Sequence, residues 1–211
     1  MSVLDQIAFN LGRRDEVPNQ ELARRLSRRP NAPGIQEIVE NLANRNQGIR
    51  SDCLKVLYEL AYLKPELVAP HARALVDLLE DRNNRMVWGA TIGLATIAAL
   101  NPQPVWKARH RVMEAMAKGT LITRVWGVRA LARATAGKPS RTKEILPALR
   151  DLLGTCSPRD VPTHLESMLP ALTRSTWASI EPLVIARKKE MTRSHLARLS
   201  RVVRMAAAAA T

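Results

Sequence analysis

The tripeptide Val87-Trp88-Gly89 recurs as Val125-Trp126-Gly127, 38 residues further on. Each copy stands early in a segment that ends rich in alanine, at Ala95-Thr96-Ile97-Ala98 and at Ala134-Thr135-Ala136. A second segment returns at about twice that interval: Pro70 leads to Leu75-Val76-Asp77-Leu78-Leu79, and Pro147 leads to Leu149-Arg150-Asp151-Leu152-Leu153. A period of this length belongs to supersecondary units that cannot bury their apolar faces alone and do so by stacking on one another. The chain is therefore expected to form a stack of repeats.

Those repeats are helical. Aromatic residues make up only 3% of the chain, its apolar content lies in Leu, Ala, Val and Ile, and alternating β-branched runs of strand type are missing. Pro and Gly leave segments of ordinary helix length between breaks. These predict helices near 20–29, 34–44, 48–63, 66–80, 84–100, 103–118, 122–136, 141–153, 160–173, 175–190 and 192–207, with Pro170 and Pro182 leaving two boundaries open. The short connections imply antiparallel neighbours. In the segment 84–100, Met86, Ala90, Leu94 and Ile97 form one apolar stripe, with Asn83 as N-cap and Asp81 placed to complement the helix dipole. Gly89 and Gly127 each cost a helix interior about 1 kcal/mol relative to Ala. Close approach of a neighbouring helix beside the Trp is the expected compensation.

Pro70, Leu78-Leu79, Asp81, Met86-Val87 and Ala90, together with Ile49-Arg50, Cys53 and Leu57, resemble the HEAT-repeat family. Its repeat carries an early proline, a Leu-Leu pair and a turn acid, followed by a Val-Arg step and an alanine in the second helix. The match thins later, where Gly119 to Thr123 lacks the acid, Arg124-Val125 inverts the Val-Arg order, and the connection around Asp160 carries Pro158 and Pro162. The resemblance implies an all-α, α-α superhelix of about five helix pairs. The expected organisation is an N-terminal helical cap over 1–32, the HEAT-like solenoid over 33–207 and an Ala-rich tail over 208–211. It also implies that the second helix of each pair lines the concave surface.

The formal net charge of +14 is unevenly spread: residues 1–100 hold 13 basic and 12 acidic side chains, and residues 101–211 hold 20 and 7. An excess of one sign in one half suggests an anionic partner for that half, against the simpler reading that the charge only keeps the protein in solution. Cys53 and Cys156 have no metal-type spacing and read as reduced small hydrophobes. Asp5 and the lack of a basic start before an apolar stretch speak against a secretory signal, so a cytoplasmic location is expected. The longest nearly apolar run, 89–100, is far short of the roughly 20 residues that span a bilayer, and no membrane association is expected.

Catalytic chemistry finds little support. His71, His110, His164 and His195 fall on four different helices and read as solvated or capping residues; no nucleophile elbow, phosphate-cradling Gly-rich loop or acid cluster is present. No cofactor, metal or small-molecule substrate is expected, and nothing fixes an oligomeric state. The candidate anion-binding residues are Trp126, Arg129 and Arg133 on one stripe of the helix 122–136, with Arg198 and Arg201 in the row His195, Arg198, Arg201, Arg204 of the last helix. Lys107 and Arg111 form a similar pair on a first-type helix. Guanidinium groups offer bidentate donors to phosphate or carboxylate, and Trp offers a stacking platform. Against this, a Trp recurring at repeat spacing also serves packing between repeats, and the arginines can simply be solvated. The expectation is a non-enzymatic binding or scaffold module whose basic second half engages an acidic protein or nucleic acid. The alternative is a DNA-binding protein similar to the HEAT-like alkylpurine DNA glycosylases, which hold duplex DNA in a basic concave face with an aspartate beside Trp. That pattern, Trp-x-x-x-Asp, is missing, and Trp177-x-x-x-Glu181 is the nearest arrangement.

Overall fold

The computed structural model describes residues 2–210, so Met1 of the expected cap and Thr211 of the expected tail lie outside the described residues. Thirteen α-helices follow one another: α1 Val17–Arg28, α2 Ala32–Glu40, α3 Gln47–Leu63, α4 Pro65–Val68, α5 Ala72–Asp77, α6 Asn84–Ile97, α7 Pro102–Lys107, α8 Arg109–Lys118, α9 Leu121–Thr135, α10 Pro139–Thr155, α11 Val161–Met168, α12 Arg174–Ala186 and α13 Arg193–Ala209. No strand occurs among the described residues. Side-chain caps set several starts. Asn31 accepts from the Gly34 N–H, Asn46 from the Gly48 N–H and Asn83 from the Arg85 N–H, while Thr173 and Thr176 form a reciprocal capping box.

The helices pack as five pairs behind a cap. The row of second helices runs α3, α6, α9, α11, α13, each packed on the next, with α1 against α3 at its start. Their partners are α2, α4–α5, α7–α8, α10 and α12. One hydrophobic core, from Val3 to Ala210, threads the whole stack. The α-α superhelix of about five helix pairs is thus the observed fold. Helix α13 runs through Ala209, so Ala208 and Ala209 of the expected tail continue the last helix and Ala210 ends it.

Two first-row helices depart from the sequence-based boundaries. The segment 66–80 is broken by a 3-10 turn at Ala69–His71, because Pro70 has no N–H for the Glu66 carbonyl. The segment 103–118 is interrupted at Ala108, between α7 and α8. By contrast Pro147 and Pro182 stand inside unbroken α10 and α12. All three prolines are exposed, as are Glu66, Lys143 and Ala178 four residues before them, so exposure does not separate the broken segment from the unbroken ones. Pro170 falls in the 3-10 turn Leu169–Ala171 that ends α11.

Arginines close the turns. Arg50 Nε donates to the Leu42 carbonyl at 2.8 Å and Arg124 Nε to the Met116 carbonyl at 3.3 Å, each eight residues upstream, at the end of the first helix of its own pair. Arg50 also pairs with Asp81, tying the first pair to the turn of the second. Arg187 is buried and donates to the carbonyls of Leu153, Gly154 and Cys156 at 2.6–2.7 Å, while pairing with Glu190. These carbonyls lie at the C-terminus of α10, where no helical N–H remains to satisfy them.

Candidate binding face of the second helices

On the open side of the second-helix row, an aromatic chain crosses three helices. Tyr58 and Tyr62, one turn apart on α3, meet edge to face with centroids 6.2 Å apart. Tyr58 contacts Trp88 of α6 at 6.1 Å, and Tyr62 reaches over to Trp126 of α9 at 5.9 Å. The two Val-Trp-Gly copies therefore serve one surface from successive helices. The glycines beside the tryptophans permit the close packing expected of them, but against different neighbours. A Cβ on Gly89 would lie 2.5 Å from Leu54 Cδ2 of α3, and one on Gly127 would lie 2.4 Å from Met116 Cγ of α8.

The ring faces are covered by cations of the chain itself. Lys55 lies 4.8 Å from the Tyr58 centroid, Arg85 lies 6.0 Å from Trp88, and Arg129 lies 4.4 Å from Trp126. Lys55 is clamped between Glu16 and Glu59, both at 2.7 Å. Burial disfavours its charge, yet the two carboxylates more than offset this and raise its pKa. Burial also pushes the Tyr62 phenol up to about 12, with Tyr58 and Glu59 adding to the shift and Arg129 opposing it.

Trp126, Arg129 and Arg133 are brought together as one partly exposed stripe of α9, while Val128, Leu131 and Thr135 are buried on its other faces. Arg133 is already engaged: Nη1 donates to the Ala95 carbonyl at 2.8 Å, in the last turn of α6, 38 residues upstream. Burial, then the neighbouring charge of Arg129, lower its pKa. The two arginines stand one helical turn apart on this stripe, near enough for Arg129 to disfavour the charge of Arg133, and no carboxylate pairs with either among the described residues.

Arg198 and Arg201 lie farther along the row. Helix α11 has α9 on one side, α13 on the other and α10 behind it, so its partly exposed Thr163 and Glu166 mark its open face. Arg198 of α13 pairs with Glu166 at 3.0 Å, which puts Arg198 on that face with an internal partner. Arg201 is exposed and has no ion-pair partner among the described residues. On the first row, Arg111 pairs with Glu80 and Asp77. Arg109 pairs with Glu144, and with Arg141 it sandwiches Trp106 at 4.6 and 4.9 Å.

Sequence reasoning missed Tyr58, Tyr62 and Lys55, although two of the chain's few aromatics standing i, i+4 on a second helix were a usable signal. It also misplaced one histidine. His164 is neither solvated nor capping but fully buried in α11, with both ring nitrogens unpartnered among the described residues. Burial, followed by Arg124, lowers its pKa against an opposing effect of Asp160. His195 is partly exposed, with Nδ1 3.0 Å from the Thr192 hydroxyl at the start of α13, and it caps no backbone group there. Both cysteines are free and buried, and burial, then Asp52 and Glu37, pushes Cys53 up to about 12. Trp177 is buried, and with Glu181 it lies on α12, a first-row helix away from the aromatic face. No cluster of three or more metal-type ligands, and no helix long and apolar enough to cross a membrane, occurs among the described residues.

No family model and no curated protein matches the chain. Solved structures of helical repeat proteins do. A structure described as an engineered protein superposes with a TM-score of 0.65 at 17% identity, covering 100% of this chain and 98% of its own. A designed armadillo repeat protein gives 0.62 at 17% identity, covering 99% and 100%. Another, in complex with the peptide (KR)4, gives 0.64 at 16% identity, covering 99% of each chain. At such identities the likeness carries the fold: this chain is a helical repeat solenoid. The HEAT resemblance stands at that level, and no glycosylase family is found.

Proposed function

We propose that this chain is a non-enzymatic binding module that holds an acidic partner, protein or nucleic acid, against the open face of its second helices. The observation that carries the reading is the pair Arg129 and Arg133, one turn apart beside Trp126 and without a carboxylate partner among the described residues. Arg129 stacks on the ring, which leaves the N–H edge of its guanidinium free for a carboxylate or phosphate. An anion between the two arginines relieves a repulsion that the folded chain otherwise bears. The (KR)4 peptide held by one structural neighbour has the opposite charge. Here Tyr58, Trp88 and Trp126 already carry cations of the chain itself, Lys55, Arg85 and Arg129.

The non-enzymatic reading is supported by the positions of the acids. Glu16 and Glu59 neutralise Lys55 and Glu166 neutralises Arg198, so the carboxylates of this face are engaged in ion pairs. The test is a titration of the intact chain with a polyglutamate peptide and with labelled single-stranded and duplex oligonucleotides. Tryptophan emission and anisotropy would be followed between about 50 and 200 mM salt, where phosphate contacts lose affinity steeply. Arg129→Gln is expected to weaken the bound probe about tenfold, the equivalent of one charged hydrogen bond. Failure of every probe at low salt, or indifference to Arg129→Gln, rejects the reading. Release of bases from alkylated DNA under excess protein would instead favour the glycosylase-like alternative.

A further inference from the structure

A dense group of cations without ion pairs lies outside that face, in the half of the chain whose net charge is nearly zero. Helix α1 opens the stack, and its apolar side, Leu22, Ala23 and Leu26, is buried against the solenoid. Its outer flank carries Arg24, Arg25, Arg28 and Arg29, all exposed, around an open depression that these four share with Glu21 alone. Arg24 and Arg28 are an i, i+4 pair on α1, like charges one helical turn apart, which works against the helix; Arg29 follows as the residue that ends it. None of the four forms an ion pair among the described residues; Arg25 touches only the neutral amide of Gln6. The acids that balance the count for this half are used elsewhere. Asp15 holds Arg13, Glu16 holds Lys55 and Arg85, Asp52 accepts the Phe9 N–H, and Asp81 holds Arg50. Sequence neutrality thus conceals a segregated cationic surface.

The helix dipole favours cations in the last turn, which explains why a cation is tolerated at Arg25 or Arg28 but not why four stand together with one acid. The character of the patch narrows the partner. A specific protein interface is anchored by buried aromatic or aliphatic side chains, and this flank has none between Glu21 and Arg29. A membrane-inserting helix offers its apolar face to lipid, and that of α1 is already used in the core. What remains is a surface of four guanidiniums against one carboxylate, Glu21, which suits a run of phosphates contacted without reading bases.

We infer that the outer flank of α1 is a second anion-binding surface that docks the phosphate backbone of a nucleic acid through Arg24, Arg25, Arg28 and Arg29. It stands independently of the proposal for the second-helix face. The experiment compares the intact chain with the fourfold Arg→Gln variant at these positions, and with a fourfold Arg→Lys variant that keeps the charge. Each is titrated by anisotropy with a short labelled duplex of mixed sequence over about 50–200 mM salt. Thermal melts followed by circular dichroism confirm folding. Arg→Gln is expected to weaken duplex binding at low salt by at least tenfold and to flatten the log–log salt slope by roughly 0.9 for each lost phosphate contact. Arg→Lys is expected to keep the slope and stay within a few-fold of the parent. Unchanged affinity and slope in the folded Arg→Gln variant overturn the inference. So does quartet-dependent binding to phosphatidylserine vesicles or polyglutamate where the duplex does not bind. Arg129→Gln run in parallel separates the two sites: loss there alone, with the α1 variant unaffected, sinks this surface and leaves the second-helix face standing.

Discussion

Arg129 and Arg133 are one turn apart on the same stripe of α9, yet the folded chain uses them differently. Arg133 satisfies the Ala95 carbonyl at the end of α6, whereas Arg129 touches only a ring face. Replacing Arg133 by Met is therefore expected to cost about 1–3 kcal/mol, the price of a carbonyl left without its donor. Arg129→Gln is expected to change stability by less than about 0.5 kcal/mol. Urea titrations of the two variants would show the first with a shifted midpoint and an unchanged slope, and the second superposed on the parent. The glycines make a sharper case. Ala at 89 or 127 would gain about 1 kcal/mol of helix propensity, but its methyl meets Leu54 or Met116 below 3 Å, and overpacking of this kind costs about 1–3 kcal/mol. A lower melting temperature is expected for Gly89→Ala and for Gly127→Ala; a rise in either would mean that the neighbouring side chain gives way freely. The stripe of α9 could be read from spacing alone, because three and four residues return to the same side of a helix. Which arginine is spoken for could not, because its acceptor is a backbone carbonyl, and every residue has one.

Helix positions followed from the punctuation of the sequence better than helix continuity did. Asn83, placed as a cap from its position before an apolar stripe, does cap α6. Proline was ambiguous: Pro70 stands in a 3-10 break, whereas Pro147 and Pro182 stand inside continuous helices, and all three are exposed. The end of α10 is held by Arg187, a position nothing in the sequence marks, since its three acceptors lie 31–34 residues away. Replacing Arg187 by Leu keeps the volume but strands those carbonyls, and the expected loss is about 3 kcal/mol. Amide exchange would locate it: protection should fall first over α10 and α12, while α3 and α6 keep theirs. Uniform loss along the chain would contradict this local role.

The stack as a whole carries a buried weak base near the junction of its third and fourth pairs. His164 has an ordinary pKa of 6.5 that burial lowers in the folded chain. Above about pH 6.5 the ring is neutral whether the chain is folded or not. Below it the unfolded chain takes up a proton that the folded chain resists, so stability falls as pH drops towards the lowered folded value. His164→Leu is expected to flatten that part of the stability–pH curve. Equal acid sensitivity in parent and variant, measured by chemical denaturation from about pH 7 to 5, would remove His164 as the cause. The solenoid and its number of pairs could be read from the 38-residue period. The distribution of its charge could not, because counting by halves misses which charges are spent inside the fold. The aromatic chain escaped notice for a related reason: Tyr62 meets Trp126 by skipping over α6, so the contact obeys no nearest-neighbour period. That skipped contact ties the first and third pairs to a single pitch. Drawn out like a spring, the superhelix would part Tyr62 from Trp126 while each helix still touched its neighbour. In a variant that keeps Trp126 as its one tryptophan of the four, the colour of its emission is expected to report the extension of the coil before any helix unfolds.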